Sequence, residues 1–396
     1  YTLIINEHRL YYLRDIADEY LLIEQGKLKA RLSCERLLSL SENELAELSL
    51  RAIDLSALEY TCAATETDIK KYLELRGIQF GYNRQDGILR DVCLKAETGE
   101  VIGIIGSNGC GKTTLGKLIA GLYKPTAGEI CFGTNKLSKL ELADNAIFIM
   151  QEAEFQFFTN SVINELEYGR TVTPELREII KSLLIRSDLW EIRERHPFTL
   201  SGGQMQKLAL LLAYLSDKPI VILDEPTAGL DKDSLQSCAE LIAEMRKQKI
   251  VFIITHDLEL ISQSCTRALY ISKGVIEREF DLLKGEFSKL FSYMRTHMEL
   301  TDNYRKGSKH NNQQLCDPRV KLIYLVVAVL ISGSSFTYAV AGAFIASLVL
   351  CLYERHYKIA AISGAIFTAL HILHLTFHGA LTTCLLYTSP SPRDCS

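Results

Sequence analysis

Hydrophobic and polar residues alternate in some stretches of the chain, and in other stretches several hydrophobic residues follow one another. Residues 73–82 alternate, which is typical of a strand with one exposed face. Buried strands of a parallel sheet are predicted where the apolar residues are consecutive, at 101–105, 220–223 and 251–254. A further strand is predicted at 146–150, and helices are predicted at 115–122 and 205–215. These elements predict an α/β domain.

A second kind of apolar stretch lies in the last hundred residues. Residues 320–353 are almost free of charge, with a break at 333–337, and a third run extends from 359 to 375. Runs of this length predict short, tilted transmembrane helices, and buried helices of a soluble domain are the alternative. If the first two runs form a hairpin, the basic residues on its two flanks would both be cytoplasmic, and these are Arg319, Lys321, Arg355 and Lys358.

A pattern of strand, helix and short strand occurs twice in the chain. The strand ends are marked by His8 and Gly26 in the first copy, and by His256 and Gly274 in the second, 248 residues later. The repeat predicts that residues 1–55 are the end of an earlier domain whose own phosphate-binding loop precedes Tyr1. Chance similarity between two such units is the alternative.

After Gly26, the predicted domain remnant at residues 1–55 is expected to continue as a pair of helices. Ser41 and Glu44 form a capping-box sequence, which predicts that a helix opens there and covers Leu45–Leu55. The predicted organisation of the whole chain is a remnant at 1–55, a linker at 56–71, a complete domain at 72–298, a linker at 299–318, a membrane domain at 319–386 and a doubtful tail at 387–396.

Composition narrows the classes of function without choosing among them. The 396 residues suffice for about two to three domains, and 47% of them are hydrophobic, which supplies a sizeable core. A net charge of −4 gives no support for a nucleic-acid-binding surface. The 11 cysteines are scattered without a C-x-x-C pair, so we expect reduced thiols rather than a disulfide framework or a metal cluster.

The segment Gly106–Thr114 fits the spacing G-x-x-x-x-G-K-[ST] of a phosphate-binding loop, and it lies between a predicted strand and a predicted helix. Its glycines let backbone N–H groups and the helix N-terminus point at one anion. Lys112 is expected to reach the β- and γ-phosphates, and the Thr113 hydroxyl to hold Mg²⁺. The predicted nucleotide-binding residues here are Gly106, Ser107, Asn108, Gly109, Cys110, Gly111, Lys112, Thr113 and Thr114.

Two carboxylates follow the strand 220–223, at the end where parallel sheets bind ligands. Asp224 is expected to hold Mg²⁺ through water, and Glu225 to polarise the water that attacks the γ-phosphate. A solvated turn is the alternative for such a pair. His256 follows the strand 251–254 and is expected to hydrogen-bond the γ-phosphate or the attacking water, an interpretation that the repeated His8 favours over a structural role.

Other polar or aromatic residues complete the predicted site. Gln151 follows the strand 146–150, and its amide, which both donates and accepts, could bridge Mg²⁺ and water. Tyr82 is a candidate to stack on the adenine ring, with core packing as its rival role and Phe80 as the alternative stacking residue. A second anion site is predicted at the start of the helix 205–215, formed by Ser201, Gly202, Gly203 and Gln204.

In chain order the motifs are the loop Gly106–Thr114, Gln151, Leu200-Ser-Gly-Gly-Gln204, Ile222-Leu-Asp-Glu-Pro226, Ala228-Gly-Leu-Asp231 and His256. Together they resemble the nucleotide-binding domain of an ABC ATPase over residues 72–298. The resemblance implies a P-loop fold with a parallel sheet core, an antiparallel subdomain and a helical subdomain. It also implies ATP and Mg²⁺ as cofactors, metal binding by Thr113, Gln151 and Asp224, and catalysis by Glu225, His256, Gln151 and Lys112.

The same resemblance implies a partner domain. ABC ATPase domains pair head to tail, so that residues 201–204 of one domain close over ATP held by the phosphate loop of the other. Gln151 would then sense the transport domain, and Asp231 would lie at the contact between the paired domains. One departure from the family pattern is Cys110, where serine is more usual.

Residues 317–322, Asp-Pro-Arg-Val-Lys-Leu, resemble the start of the transmembrane T component of energy-coupling-factor importers. Residues 156–166 and 197–203 are similar to the ATPases of that group, which includes cobalt and nickel systems. The resemblance implies an ATPase at the cytoplasmic membrane that powers vitamin or metal-ion uptake. Its partners would be a second ABC ATPase domain, the T component and a substrate-capture membrane protein, and nucleic acid is not expected as a partner.

Two other classes share the nucleotide motifs. A soluble tandem ABC ATPase that acts on ribosomes or DNA should carry a basic patch or a long charged helical insertion, and should lack the apolar region after Val320. An ABC exporter has spans, but its membrane domain usually precedes the ATPase or forms a separate chain. Residues 317–322 would then have no explanation. The importer is therefore favoured over both alternatives.

Overall fold

The computed structural model describes residues 3–14, 16–24, 26–64, 71–83 and 87–297. Contacts divide the chain into the units Tyr1–Thr301 and Asp302–Ser396, and the described residues belong to the first. The predicted membrane segments at 320–375 and the tail at 387–396 lie outside the described residues. Within the described ranges, no helix has the length and apolar character that a membrane crossing requires.

The described residues form strands and helices in both the N-terminal segment and the predicted domain at 72–298. The strands are β1 Glu19–Glu24, β2 Lys27–Ser33, β3 Tyr72–Phe80, β4 Leu89–Glu97, β5 Val101–Ile105, β6 Ala127–Phe132, β7 Asn135–Lys136, β8 Ala146–Ile149, β9 Ile220–Asp224, β10 Ile250–Ile254, β11 Arg267–Ser272 and β12 Val275–Asp281. The helices are α1 Cys34–Leu38, α2 Glu42–Glu47, α3 Lys112–Ile119, α4 Lys139–Asn145, α5 Val162–Glu167, α6 Pro174–Arg186, α7 Gly202–Leu215, α8 Lys232–Met245, α9 Leu258–Ser264 and α10, which includes residues 287–297.

The central sheet has the strand order β12-β11-β5-β10-β9-β8, and its strands are parallel except for the antiparallel pair β11 and β12. Ile254 of β10 is aligned with Ile104 of β5 and with Asp224 of β9, so these strands end at the same edge of the sheet. The loops that carry the predicted motifs therefore leave the sheet side by side.

Both faces of the central sheet are covered, which explains why its strands are continuous apolar runs. Val251 and Ile253 of β10 pack in a hydrophobic cluster with residues of α7, α8 and α9. Phe252 and Ile254 point to the other face and pack in a second cluster, with α3 and the antiparallel sheet β4-β3-β6-β7. Helices α5 and α6 extend the first cluster through residues such as Leu166.

The strand predictions in this domain are confirmed to within a few residues, but the helix bounds are shifted. The helix predicted at 115–122 is α3, which begins at Lys112 because Gly111 is its N-cap. It ends at Ile119, just before Gly121, whose φ of 69° does not continue a helix. The helix predicted at 205–215 begins earlier, at Gly202.

The N-terminal segment agrees with the sequence predictions only in part. The capping box of Ser41 and Glu44 is present, but the helix predicted at Leu45–Leu55 is wrong, because α2 covers only Glu42–Glu47. Ser49 takes a left-handed φ of 52°, and its hydroxyl donates to Asp233 Oδ2 at 2.6 Å, so a contact with α8 turns the chain away from the helix. The strand predicted before His8 is not formed.

The short strand predicted before Gly26 is present as β1, which forms an antiparallel hairpin with β2. Instead of the predicted amphipathic helix between His8 and β1, the structure has a short 3₁₀ helix at Leu10–Tyr12. The first half of the predicted linker also packs on the domain, since backbone N–H groups of Thr61 and Cys62 donate to the Ser262 carbonyl at 3.0 and 3.2 Å. Contacts of Ser49, Thr61 and Cys62 therefore hold the described part of this segment against the second domain.

Candidate active site

The predicted motifs converge on one cavity of about 340 Å³ at the carboxyl ends of β5, β9 and β10. Five separate segments of the sequence contribute residues to it. The lining residues are Tyr82, Ile88, Asn108, Gly109, Gly111, Lys112, Thr113, Thr114, Gln151, Asp224, Glu225, Ile254 and His256. The cavity therefore holds residues of the phosphate loop, both strand-end acids and the predicted histidine.

The phosphate loop connects β5 to α3 and wraps around the Lys112 side chain. The Lys112 Nζ donates to the carbonyl oxygens of Gly106 at 2.7 Å and Ser107 at 3.1 Å. Burial lowers the pKa of Lys112, against the opposing effects of Cys110, Glu225 and Asp224. Gly106 cannot be replaced without movement, because a Cβ there would lie 2.1 Å from the Ile271 carbonyl oxygen. The loop thus packs tightly against β11 while its outer residues stay exposed.

Cys110 lies on the inner side of this loop and is buried. Burial is the main cause that raises the pKa of its thiol, although Lys112 acts in the opposite direction. A buried thiol with a raised pKa carries little of the reactive thiolate. The thiol that stands where serine is more usual is therefore expected to react slowly.

Thr113 and Asp224 are brought into direct contact although 111 residues separate them. The Thr113 hydroxyl, on the first turn of α3, donates to Asp224 Oδ2 at 2.9 Å. Burial raises the pKa of Asp224, while the hydrogen bond from Thr113 and the charge of Lys112 oppose that shift. A hydroxyl and a carboxylate side by side are the oxygen ligands that Mg²⁺ prefers.

Glu225 has a left-handed backbone with φ of 49°, which is uncommon for a residue with a side chain. The conformation is fixed on both sides, since its N–H donates to the Ile254 carbonyl at 2.8 Å and its carbonyl accepts from Gln206 Nε2 at 3.2 Å. Its Oε2 accepts from the Thr255 hydroxyl at 3.1 Å. Burial raises the pKa of Glu225 despite this bond. Such strain, held in place by surrounding contacts, is typical of active sites.

His256 lines the same cavity, two residues after the end of β10 at Ile254. Burial, together with the charges of Lys112 and Arg9, lowers the pKa of His256 to about 4. The imidazole is therefore neutral near pH 7, with one ring nitrogen able to donate a hydrogen bond and the other able to accept one.

Gln151 and Tyr82 also reach the cavity. Gln151 is exposed there, at the end of β8. Tyr82 is 56% exposed, and its hydroxyl lies 3.2 Å from Thr114 Oγ1. Phe80 is buried in the core and packs edge-on against the Tyr82 ring at 5.2 Å. Of the two predicted stacking candidates, Tyr82 is thus the one whose ring faces the cavity.

The segment 201–204 does not line this cavity. Ser201 is the N-cap of α7, and its Oγ accepts from the Gln204 N–H at 3.3 Å while Gln204 Oε1 accepts from the Ser201 N–H at 3.0 Å. Ser201 and Gly202 are exposed. The amide oxygen of Gln204 is thus used within the helix cap, and the exposed end of α7 lies outside the cavity lining of its own domain.

Sequence reasoning missed residues that act between motifs. Thr255 is the hydrogen-bond donor to Glu225, and Gln206 holds the Glu225 backbone. The position of Thr255 next to His256 is a signal that could have identified it. Gln206 gives no such signal, because its partner is a backbone carbonyl 19 residues away that only the folded chain brings near.

Comparison with known proteins identifies the family. The model of the ABC transporter family matches residues 89–228. A putative ABC transporter ATP-binding protein of Methanosarcina acetivorans is 32% identical over 239 residues, which cover 55% of this chain and 87% of that protein. The chain therefore belongs to the family of ABC transporter ATP-binding proteins, and the domain that contains the cavity is an ABC ATPase domain, which hydrolyses ATP.

Two further relatives are longer than the matched region. A putative ABC transporter ATP-binding protein of Treponema denticola is 36% identical over 287 residues, 71% of this chain and 58% of the relative. A putative HMP/thiamine import ATP-binding protein of Bacillus subtilis is 32% identical over 203 residues, 50% of this chain and 37% of that protein. The chain thus spans little more than half the length of the Treponema relative.

Proposed function

We propose that the chain is the ATP-hydrolysing part of an energy-coupling-factor-type ABC importer, which couples ATP binding and hydrolysis to uptake of a vitamin or a metal ion across the cytoplasmic membrane. The observation that carries the ATPase part is the 2.9 Å hydrogen bond between Thr113 and Asp224, on the same cavity as Lys112, Glu225 and His256. Phosphoryl transfer uses groups that bind phosphate, hold Mg²⁺ and position the nucleophile, and these residues supply side chains of all three kinds.

Each residue of the cavity has a separate role in the proposed hydrolysis of ATP. Lys112 and the N–H groups of the phosphate loop bind the β- and γ-phosphates. Glu225 accepts a hydrogen bond from the attacking water and orients it, and neutral His256 donates a hydrogen bond to the γ-phosphate. Thr113, Asp224 and Gln151 would hold Mg²⁺, which when bound neutralises charge on the phosphate oxygens. Tyr82 would stack on the adenine ring.

The importer part of the proposal is supported by the sequence and by one relative. The Bacillus subtilis relative is named for HMP/thiamine import, and the matched region includes half of this chain. Residues 317–322 and the apolar runs that follow resemble the start of a T component. The repeated hairpin at β1 and β2 supports a tandem arrangement in which residues 1–55 end a first ATPase domain, with 72–298 as the second.

The proposed partners follow from this arrangement. A second ABC ATPase domain would place its own phosphate loop against the exposed end of α7, where Ser201 and Gly202 lie. The T component would carry the motion of the paired domains to a separate membrane protein that captures the substrate. The ATPase domains would then lie on the cytoplasmic side of the membrane.

The ATPase role is tested with Glu225→Gln and Lys112→Ala. Glu225→Gln should retain binding of ATP and lower turnover by about 10²- to 10⁴-fold, the usual scale for a general base. Lys112→Ala should instead weaken ATP binding, because it removes a charge that contacts the phosphates. Phosphate release and binding of a fluorescent ATP analogue measure the two effects separately. Turnover at the wild-type rate in Glu225→Gln would rule out Glu225 as the base.

The importer role is tested by purifying the tagged full-length protein from membranes in mild detergent and identifying co-purifying proteins by mass spectrometry. A small hydrophobic membrane protein with a bound vitamin or metal ion is the expected result. Recovery of ribosomal proteins or nucleic acid from the soluble fraction would contradict the importer and would favour the soluble class of tandem ATPases.

A further inference from the structure

A buried cluster of charges joins the segment ahead of the ATPase domain to the loop that carries His256. Arg51 is 1% exposed, and its Nη2 lies 2.6 Å from both Asp257 Oδ1 and Glu259 Oε2. Its Nε donates to the same Glu259 oxygen at 2.7 Å, and the neighbouring Ala52 N–H donates to Glu259 Oε1 at 3.0 Å. One arginine thus binds two carboxylates at the start of α9, the N-cap Asp257 and Glu259 in the first turn.

The Asp257 carboxylate receives hydrogen bonds from its own domain as well. Asp257 Oδ2 accepts from the Thr227 hydroxyl at 2.7 Å, and Oδ1 accepts from the N–H groups of Glu259 at 3.2 Å and Leu260 at 3.3 Å. Charges are withdrawn from water in this way only where they are paired and hydrogen-bonded. An apolar cluster of similar volume could provide equal stability, so a buried ionic group is better explained by the geometry that it imposes.

Hydrogen bonds continue from this cluster to Glu225. The Asp257 N–H donates to Thr255 Oγ1 at 3.0 Å, and the Thr255 hydroxyl donates to Glu225 Oε2 at 3.1 Å. A second connection runs through Thr227, which follows Glu225 by two residues and donates to Asp257. His256 lies between Thr255 and Asp257 in the chain, so both of its neighbours belong to the network.

We propose that Arg51 is a positioning residue for ATP hydrolysis. By fixing Asp257 and Glu259, it sets the position of Thr255 and Thr227, and through them the orientation of Glu225 and His256. Movement of Arg51 would therefore change turnover although Arg51 does not line the cavity, and would give the preceding part of the protein control over hydrolysis. The inference rests on the proposed roles of Glu225 and His256.

The test compares Arg51→Met, Arg51→Lys and a matched control in the purified protein. The control is Arg246→Met, since Arg246 is also buried and also contacts the preceding segment, through the Cys62 sulfur at 3.1 Å, but no hydrogen bond described for it leads to Glu225. We expect Arg51→Met to lower kcat by about ten- to a hundredfold, because small displacements of catalytic groups have effects of that size. The KM for ATP should stay near the wild-type value, and Arg51→Lys should restore part of kcat.

Loss of structure alone would give a different result. It would lower kcat in Arg246→Met as well, and equal losses in the two methionine variants would overturn the proposal. Wild-type kcat in Arg51→Met would overturn it too. If Arg51→Met does not fold, Arg51→Lys and Thr255→Val decide the question. The loss in their double variant should be smaller than the product of the two single losses, whereas a full product would mean that Arg51 does not act through Thr255.

Glu225→Gln, measured in parallel, separates this inference from the function on which it rests. If Glu225→Gln keeps wild-type turnover, the assignment of Glu225 fails whatever Arg51 does. If Glu225→Gln loses turnover while Arg51→Met retains wild-type kcat, only the positioning role of Arg51 fails.

Discussion

Two hairpins of this protein have the same pairing but different surroundings. In β1 and β2, Glu19 pairs with Ser33, and the register shifts between Leu22 and Ile23. In β11 and β12, the residues 248 positions later pair in the same way, from Arg267 with Asp281 to a shift between Tyr270 and Ile271. Gly26 and Gly274 both have positive φ in the turns.

The two hairpins differ in how deeply equivalent side chains are buried. Leu21 and Ile23 of β1 are 56% and 67% exposed, whereas Leu269 and Ile271 of β11 are fully buried. β11 is paired with β5 in the central sheet, while β1, among the described residues, is paired with β2 alone. The hairpin and its irregularity thus form with or without a neighbouring strand, but the neighbouring sheet decides how deeply the hairpin is buried and what it contributes to stability.

Truncating equivalent leucines should give the largest difference between the copies. Leu269→Ala is expected to lower the free energy of unfolding by about 2–5 kcal/mol, because it leaves a cavity in the core. Leu21→Ala should change it by less than about 0.5 kcal/mol, as exposed positions usually do. Urea denaturation followed by circular dichroism measures both. Equal losses would mean that β1 is covered as deeply as β11, and the contrast in burial would be wrong.

The histidines at the ends of the repeated strands should differ in their effect on hydrolysis. His256 lines the cavity and His8 does not. His256→Gln is expected to lower kcat by about 10²- to 10³-fold, the scale for removing one hydrogen-bond donor from a developing charge. His8→Gln should leave turnover at this cavity nearly unchanged.

The measurement is steady-state phosphate release by both variants and the wild type, with thermal melting to show that each is folded. A loss of turnover in His8→Gln as large as that in His256→Gln would contradict the assignment of His256 as the histidine of this cavity. It would place the first copy within the catalytic centre.

The turn glycines provide a smaller contrast. A Cβ on Gly274 would lie 2.0 Å from the Ile88 carbonyl oxygen, whereas a Cβ on Gly26 would meet nothing within 4 Å. Alanine costs about 1–2 kcal/mol at either position because φ is positive. Gly274→Ala should cost about 1–3 kcal/mol more, because backbone must move to accept it. Denaturation midpoints of the two variants measure the difference, and equal midpoints would contradict the close approach of β4.

Much of the ATPase domain could be predicted from sequence, because its strands and its phosphate loop depend on residues that are neighbours in the chain. The buried strands are apolar runs, and the phosphate loop contains its own glycines. The predicted strands therefore agree with the observed strands, and so does the order in which strands and motifs follow one another. The helix expected at Leu45–Leu55 failed for the opposite reason. Its end is set by the contact between Ser49 and Asp233, 184 residues away, which no periodicity encodes. Arg51 escaped notice on the same grounds, since its partners are distant in sequence.

The wild type and His256→Gln should also differ in how their stability depends on pH. Burial and the charges of Lys112 and Arg9 keep His256 neutral by lowering its pKa to about 4. The unfolded chain takes up a proton near the ordinary pKa of 6.5, while the folded protein does not until about pH 4. Stability from this group is therefore complete above about pH 6.5 and is lost as the pH falls towards 4. Asp224 and Glu225, whose pKa values burial raises, act in the opposite direction.

Both acids are present in the wild type and in His256→Gln, so the difference in unfolding free energy between these two proteins isolates the histidine. That difference should shift in favour of His256→Gln as the pH is lowered through this window, and a constant difference would show that the imidazole is not shielded as the structure has it.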